Sequence, residues 1–190
     1  LVSHYYSETY KQSKFMLIAI KKFLDNPNIA NLDNAKIRWI EARKIYGITE
    51  AFRFYGGPID GTNEYGEEGP EGLINSWPLN EAYIDYVEGN PKAGIVNDLA
   101  YQINKNTIIA SNQSDDDADV STGWHAIEFL LWGQDSSLET AGLRKHTDYL
   151  PGEGNNDRRR SYLLLVSELL IEHLSWLDTT WQADGKGRKN

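Results

Sequence analysis

The sharpest chemical feature of the sequence is the run Gly123-Trp-His125-Ala-Ile-Glu128. His125 and Glu128 stand three residues apart, so on a helix they share a face. A neutral imidazole and a carboxylate placed this way can bind one metal cation, and helical di-iron sites use the related Glu-x-x-His spacing. Around the pair lie Ala126, Ile127, Phe129, Leu130, Leu131 and Trp132, so the segment must be largely buried. Ionised groups held there need partners, because burial disfavours charge. A metal is one such partner; an arginine or a hydrogen-bond network is another.

A second constellation precedes it. Trp39, Arg43, Tyr46, Glu50 and Arg53 are spaced 4, 3, 4 and 3, which puts them on one helical stripe. A separate stripe of Ile37, Ile40 and Ala51 is predicted to serve the core. The polar-aromatic stripe is then either a solvated face or a seam turned toward His125 and Glu128. In the second case Glu50 supplies a third ligand and Arg43 or Arg53 holds the carboxylates. The acidic run at residues 115–119 lacks the spacing and glycine of an EF-hand and reads as a solvated loop. His4, His146 and His173 have no ligand-like neighbour on their own helical face. Arg158, Arg159 and Arg160 open the last predicted helix, where the dipole disfavours cations, which points to an acidic partner inside the bundle. No H-E-x-x-H zinc motif, G-x-S-x-G elbow or phosphate-binding glycine loop occurs.

These residues must be positioned by helices. Tyr6, Tyr10, Leu17, Ile20 and Leu24 mark a first helix of about 20 residues, stopped at Asp25-Asn-Pro27. A second is expected from Asn31 or Asp33 to about Phe54, ended by Gly56-Gly57-Pro58. Residues 56–80 hold six of the sixteen glycines and three of the six prolines. A loop that long inside a compact domain is either functional or a surface connection. A short helix follows Asn80, and another is expected from Pro91 to about Ala110. Ser121 or Thr122 caps the His125 helix, which ends at Gly133. A last helix spans about 157–181. The expectation is an all-α, up-and-down bundle of about four main helices with short helices and long ordered loops. It occupies residues 1–184, with 185–190 as a mobile tail or linker.

The 190 residues carry no cysteine and a net charge of −9, with 40% apolar and 25% charged residues. That is the composition of a globular domain. It excludes disulfides and thiolate chemistry. A sequence pI near 4.9 argues against a nucleic-acid binder and suits a metal ion or a small cationic ligand. No run approaches the roughly 20 apolar residues of a membrane span.

Taken together, the motifs resemble the imelysin family. Its signature, G-x-H-x-x-E, is matched by Gly123, His125 and Glu128, and residues 121–135 resemble the family's iron-regulated branch. Trp39, Ala42-Arg43, Tyr46, Glu50, Phe52-Arg53-Phe54 and Gly57-Pro58-Ile59-Asp60 resemble its second helix and following loop. Trp77-Pro78-Leu79 with Tyr83-Ile84-Asp85-Tyr86 resembles the next block. Arg144, Thr147-Asp148-Tyr149, Arg159-Arg160 and Tyr162-Leu163 resemble the stretch beyond the signature. The resemblance implies a helical protein exported to the bacterial periplasm or cell envelope, its signal already removed, and linked to iron uptake. It implies His125 and Glu128 as metal residues, Glu50 as the further carboxylate, and Arg43, Arg53, Asp60, Asp85 and Trp39 as support. A metal ion, iron or zinc, is the expected cofactor, its identity open because imidazole plus carboxylate suits iron, zinc and copper alike. Some family members are classed as metallopeptidases, so a metal-dependent peptidase is one alternative. A binding module with a buried arginine–carboxylate network and no metal is the other. Family chains are longer, so a C-terminal half or a second chain is an expected partner.

Overall fold

The computed structural model describes residues 1–62, 68–137, 139, 141–142 and 144–182. The expected tail at 185–190 lies outside them. Among the described residues the regular structure is all α-helical, with two isolated β-bridges and no strand. No helix among them is long and apolar enough to cross a membrane.

Helix α1 (Val2–Asp25) and helix α2 (Ile29–Thr49) form an antiparallel pair across a tight turn. Asn28 caps α2, its side chain accepting from the Asn31 N–H at 2.9 Å, while the Asn31 side chain donates to the Asn26 carbonyl at 2.9 Å. Such a cap contributes about 1 kcal/mol and starts α2 earlier than predicted. The C-terminal end of α2 tightens into a 3-10 turn at Glu50–Phe52.

The face of α2 that is buried differs from the expectation. Ile37 and Ile40 are exposed, as is Ala51. The buried stripe is Leu32, Ala35, Trp39, Ala42, Tyr46 and Thr49. Both stripes have helical spacing, and apolar residues occur all round α2, so local pattern did not decide between them. Small Ala35 and Ala42 allow close approach to α1, whose own buried stripe includes small Thr9 and Ser13.

Helix α8 (Asn156–Gln182) packs along α1, and helix α7 (Gly123–Trp132) packs on α8 and α2. Trp124, Ala126, Ile127, Leu130 and Leu131 have no exposed surface, as befits a helix apolar on most sides. Four short helices line the connections: α3 (Glu71–Ile74), α4 (Glu81–Ile84), α5 (Gly94–Asn97) and α6 (Lys105–Ser111). The one helix expected after Pro91 is therefore two, and Asn104 opens the second with a capping box to Thr107. A 3-10 turn at His146–Tyr149 precedes α8.

The acidic partner of the arginines at the start of α8 is Asp85, just past α4. Its fully buried carboxylate accepts from Arg159 Nε at 2.5 Å and Nη2 at 3.0 Å. Arg144 Nη1 lies 3.2 Å away, and the Tyr86 N–H and the Asn97 amide complete the shell. Arg158 instead donates to four backbone carbonyls, those of Ile95, Val96, Asp98 and Tyr101.

Candidate functional site

The site begins with a glycine. Gly123 opens α7 at φ +80°, a left-handed conformation. A Cβ there would stand 2.3 Å from the Ile74 carbonyl oxygen. The backbone at residue 123 thus lies directly against the end of α3, and only glycine fits. This sets where α7 starts, and His125 follows in its first turn.

Trp39 then locks α7 against α2. Its indole N–H donates to the Trp124 carbonyl at 3.2 Å, and its ring meets Trp124 and Trp132 edge-on at 6.0 and 5.3 Å. On the opposite side the Trp77 ring lies 4.7 Å from the His125 ring. His125 Nδ1 and Glu128 Oε2 are 2.9 Å apart. The pair therefore shares a helix face, as its spacing predicts. With Nδ1 engaged by the carboxylate, the outward nitrogen of His125 is Nε2.

His125 and Trp77 stand on the partition between two clefts. The first, about 560 Å³, runs along the C-terminal half of α7 and includes Glu128, Phe129 and Trp132. Its described lining also includes Glu81 and Asp135 and no lysine or arginine. Burial pushes the Glu81 carboxyl above its usual range. The second cleft, about 620 Å³, is lined by Arg43, Glu50, Arg53, Glu71, Asn75 and Gln113 in addition to His125 and Trp77. Here the guanidinium groups are paired with the glutamates: Arg43 Nη2 with Glu50 at 3.2 Å, and Arg53 Nη2 with Glu71 at 2.5 Å. Arg43 also lies over the Tyr46 ring at 5.2 Å.

The sequence-predicted site residues separate accordingly. His125 and Glu128 meet. Glu50, Arg43 and Arg53 reach the cleft that His125 also lines, but Glu50 is held by Arg43. Trp39 supports from beneath. Asp85 belongs to the buried Arg144–Arg159 cluster. Asp60 accepts from the Gly57 and Phe54 N–H groups and so closes the loop after α2. Among the described residues, no three His, Cys, Asp or Glu side chains gather into a group able to hold a metal ion.

Sequence reasoning missed Trp77, Glu71, Asn75 and Gln113 as cleft residues. For Glu71, Asn75 and Trp77 the signal was the length of the glycine- and proline-rich stretch 56–80, whose second half forms a wall of the site, and Trp77 also stands in a block that resembles the family. Nothing in the spacing of Gln113, on the loop after α6, pairs it with Ser76, whose hydroxyl it accepts from at 2.8 Å.

The curated proteins contain no match to the chain. The family model for imelysin matches residues 5–190, nearly the whole sequence. On that match the chain belongs to the imelysin family.

Proposed function

We propose that this imelysin-family protein binds a metal ion at His125 and Glu128 as cargo, without catalysis, in bacterial iron uptake or homeostasis in the periplasm or cell envelope. The observation that carries the reading is the His125–Glu128 contact at 2.9 Å on the partition between two open clefts. Two donor atoms 2.9 Å apart can be spanned by one metal ion, which would take the place of the hydrogen bond between them. The residues present fit a metal that keeps other ligands: two donors suffice to hold it but not to enclose it. Iron and zinc both suit this pair.

The test is calorimetric titration of anaerobic Fe²⁺ and of Zn²⁺ into the protein, His125→Ala and Glu128→Ala. One-site binding, lost in both variants with helix content unchanged, is the expected result. Proteolysis that chelators inhibit and Glu128→Gln abolishes would instead make the protein a peptidase.

A second reading has its own observation. The Arg43–Glu50 and Arg53–Glu71 pairs satisfy carboxylates without any metal. A module binding a polar ligand with no metal then predicts no metal uptake. It also predicts a loss of about 1–3 kcal/mol on removing His125 or Glu128, the cost of stranding a polar partner.

A further inference from the structure

We infer that the metal reaches this site as a complex with a small carboxylate-bearing chelator, whose carboxylates seat on Arg43 and Arg53. The inference rests on the metal reading above and names the form in which the cargo arrives.

Three observations lead there. First, His125 and Glu128 provide two donors, and no third gathers with them among the described residues. Metal cations of this class take four or more donors, so the remaining positions stay with ligands the cargo brings. Second, the cleft beyond His125 has about 620 Å³, within the range that small-molecule ligands occupy. Third, the polar groups facing it are incompletely used. Each guanidinium engages its glutamate through Nη2. Among the described residues, buried Arg53 Nε has no acceptor, buried Asn75 Oδ1 has no donor, and buried Glu71 Oε1 has the ion pair to Arg53 but no hydrogen bond. A carboxylate matches the free edge of a guanidinium fork, and a chelator hydroxyl would serve Asn75.

Charge decides which cleft is used and in what form. Among its described lining residues the first cleft carries Glu81, Glu128 and Asp135 with no lysine or arginine, and repels an anion. The second sets two arginines against two glutamates. A balanced lining favours a chelate whose carboxylate charge is largely cancelled by its own metal. The free chelator, carrying its whole negative charge, is disfavoured. The site therefore selects the loaded chelate over the empty one. Trp77, which lines both clefts and contacts the His125 ring, stands where metal and chelator would meet.

The experiment titrates three probes by calorimetry: the 1:1 gallium(III)–citrate complex, citrate alone, and Zn²⁺. Each is run on the protein and on Arg43→Gln, Arg53→Lys and His125→Ala, with circular dichroism confirming the fold. Arg43 sits at the surface edge of α2, so its replacement leaves the core intact; Arg53→Lys keeps the charge beside Glu71 and removes the fork. The expected result is one-site binding of the gallium complex at least tenfold tighter than citrate. Arg43→Gln and Arg53→Lys then weaken the complex at least tenfold more than they weaken Zn²⁺, and His125→Ala loses both metal forms. If Zn²⁺ binds through His125 and the gallium complex ignores both arginines, the chelate inference falls while the metal reading stands. Citrate binding as tightly as its complex, and surviving His125→Ala, overturns the inference in favour of a metal-free anion site. Binding of no metal form overturns the metal reading itself.

Discussion

Asp85 and Arg159 are joined by two hydrogen bonds across 74 residues of chain, with no exposed surface on the carboxylate. They tie the first turn of α8 to the end of α4, and Arg144 shares the same oxygen as Arg159 Nε. Removing the charge strands two buried guanidinium groups. Asp85→Asn is expected to destabilise the protein by about 3–5 kcal/mol, the usual cost of breaking a buried ion pair from one side. Urea unfolding measures it, and a loss under 1 kcal/mol would mean the cluster is not holding the fold.

Gly123 makes the opposite kind of prediction, one about placement. In Gly123→Ala the new Cβ is 2.3 Å from a backbone oxygen that has no room to yield, and the left-handed φ adds strain of about 1–2 kcal/mol. Gly152→Ala is the control: its φ is also positive, at +79°, but no heavy atom lies within 4 Å of the new Cβ. Gly123→Ala is expected to lower the melting temperature more than Gly152→Ala. It should also weaken metal binding although it touches no ligand, because the start of α7 must move. Equal effects from the two would show that contact with α3 is unimportant.

Trp39→Phe keeps most of the ring and deletes the N–H that reaches the Trp124 carbonyl. The loss of a buried hydrogen bond is worth about 1 kcal/mol. A further, smaller loss is expected from the Trp39–Trp132 contact, and both appear as a lower urea midpoint with an unchanged slope. A change in slope instead would mean that α7 no longer packs as a unit on α2.

Stability should fall at both ends of the pH range. Burial pushes the Tyr6 phenol from 10.0 up to about 12, and raises Tyr46, Tyr149 and Tyr162 as well. The folded state then holds phenolic protons that the unfolded chain releases from about pH 10. The stabilisation is complete below pH 10 and lost as pH rises through the folded values. On the acid side, burial lowers His173 below its usual 6.5, so the unfolded chain takes up a proton there that the folded one does not. Its contribution is present above pH 6.5 and declines as pH falls. Unfolding followed from pH 5 to 12, with phenolate absorbance read at 295 nm, checks both; the alkaline loss should coincide with a cooperative release of phenolate. Gradual ionisation of all tyrosines near pH 10 in the folded protein would contradict the burial.

Much of the fold can be read directly from the chain. The first helix stops where Pro27 requires it, and the last helix matches its apolar spacing within a residue or two. His125 and Glu128 meet because residues three apart on a helix always share a face. These features depend on near neighbours, and neighbour chemistry is written in the sequence.

Tertiary structure decided the rest. Trp39 and Tyr46 on α2 are core, while Ile37 and Ile40 face out, because the close approach of α1 selects the stripe holding Ala35 and Ala42. Glu50 is paired by Arg43, and Asp85 is taken by arginines from α8 and the loop before it. Glu71, Asn75 and Trp77 reach the site because α3, on which residue 123 rests at Ile74, lies beside α7, and Gln113 reaches it from the loop after α6. Local spacing settles which groups lie together on one helix. Which charges neutralise each other is settled by packing between segments far apart in sequence, where the energy of a buried ion depends on every neighbour at once.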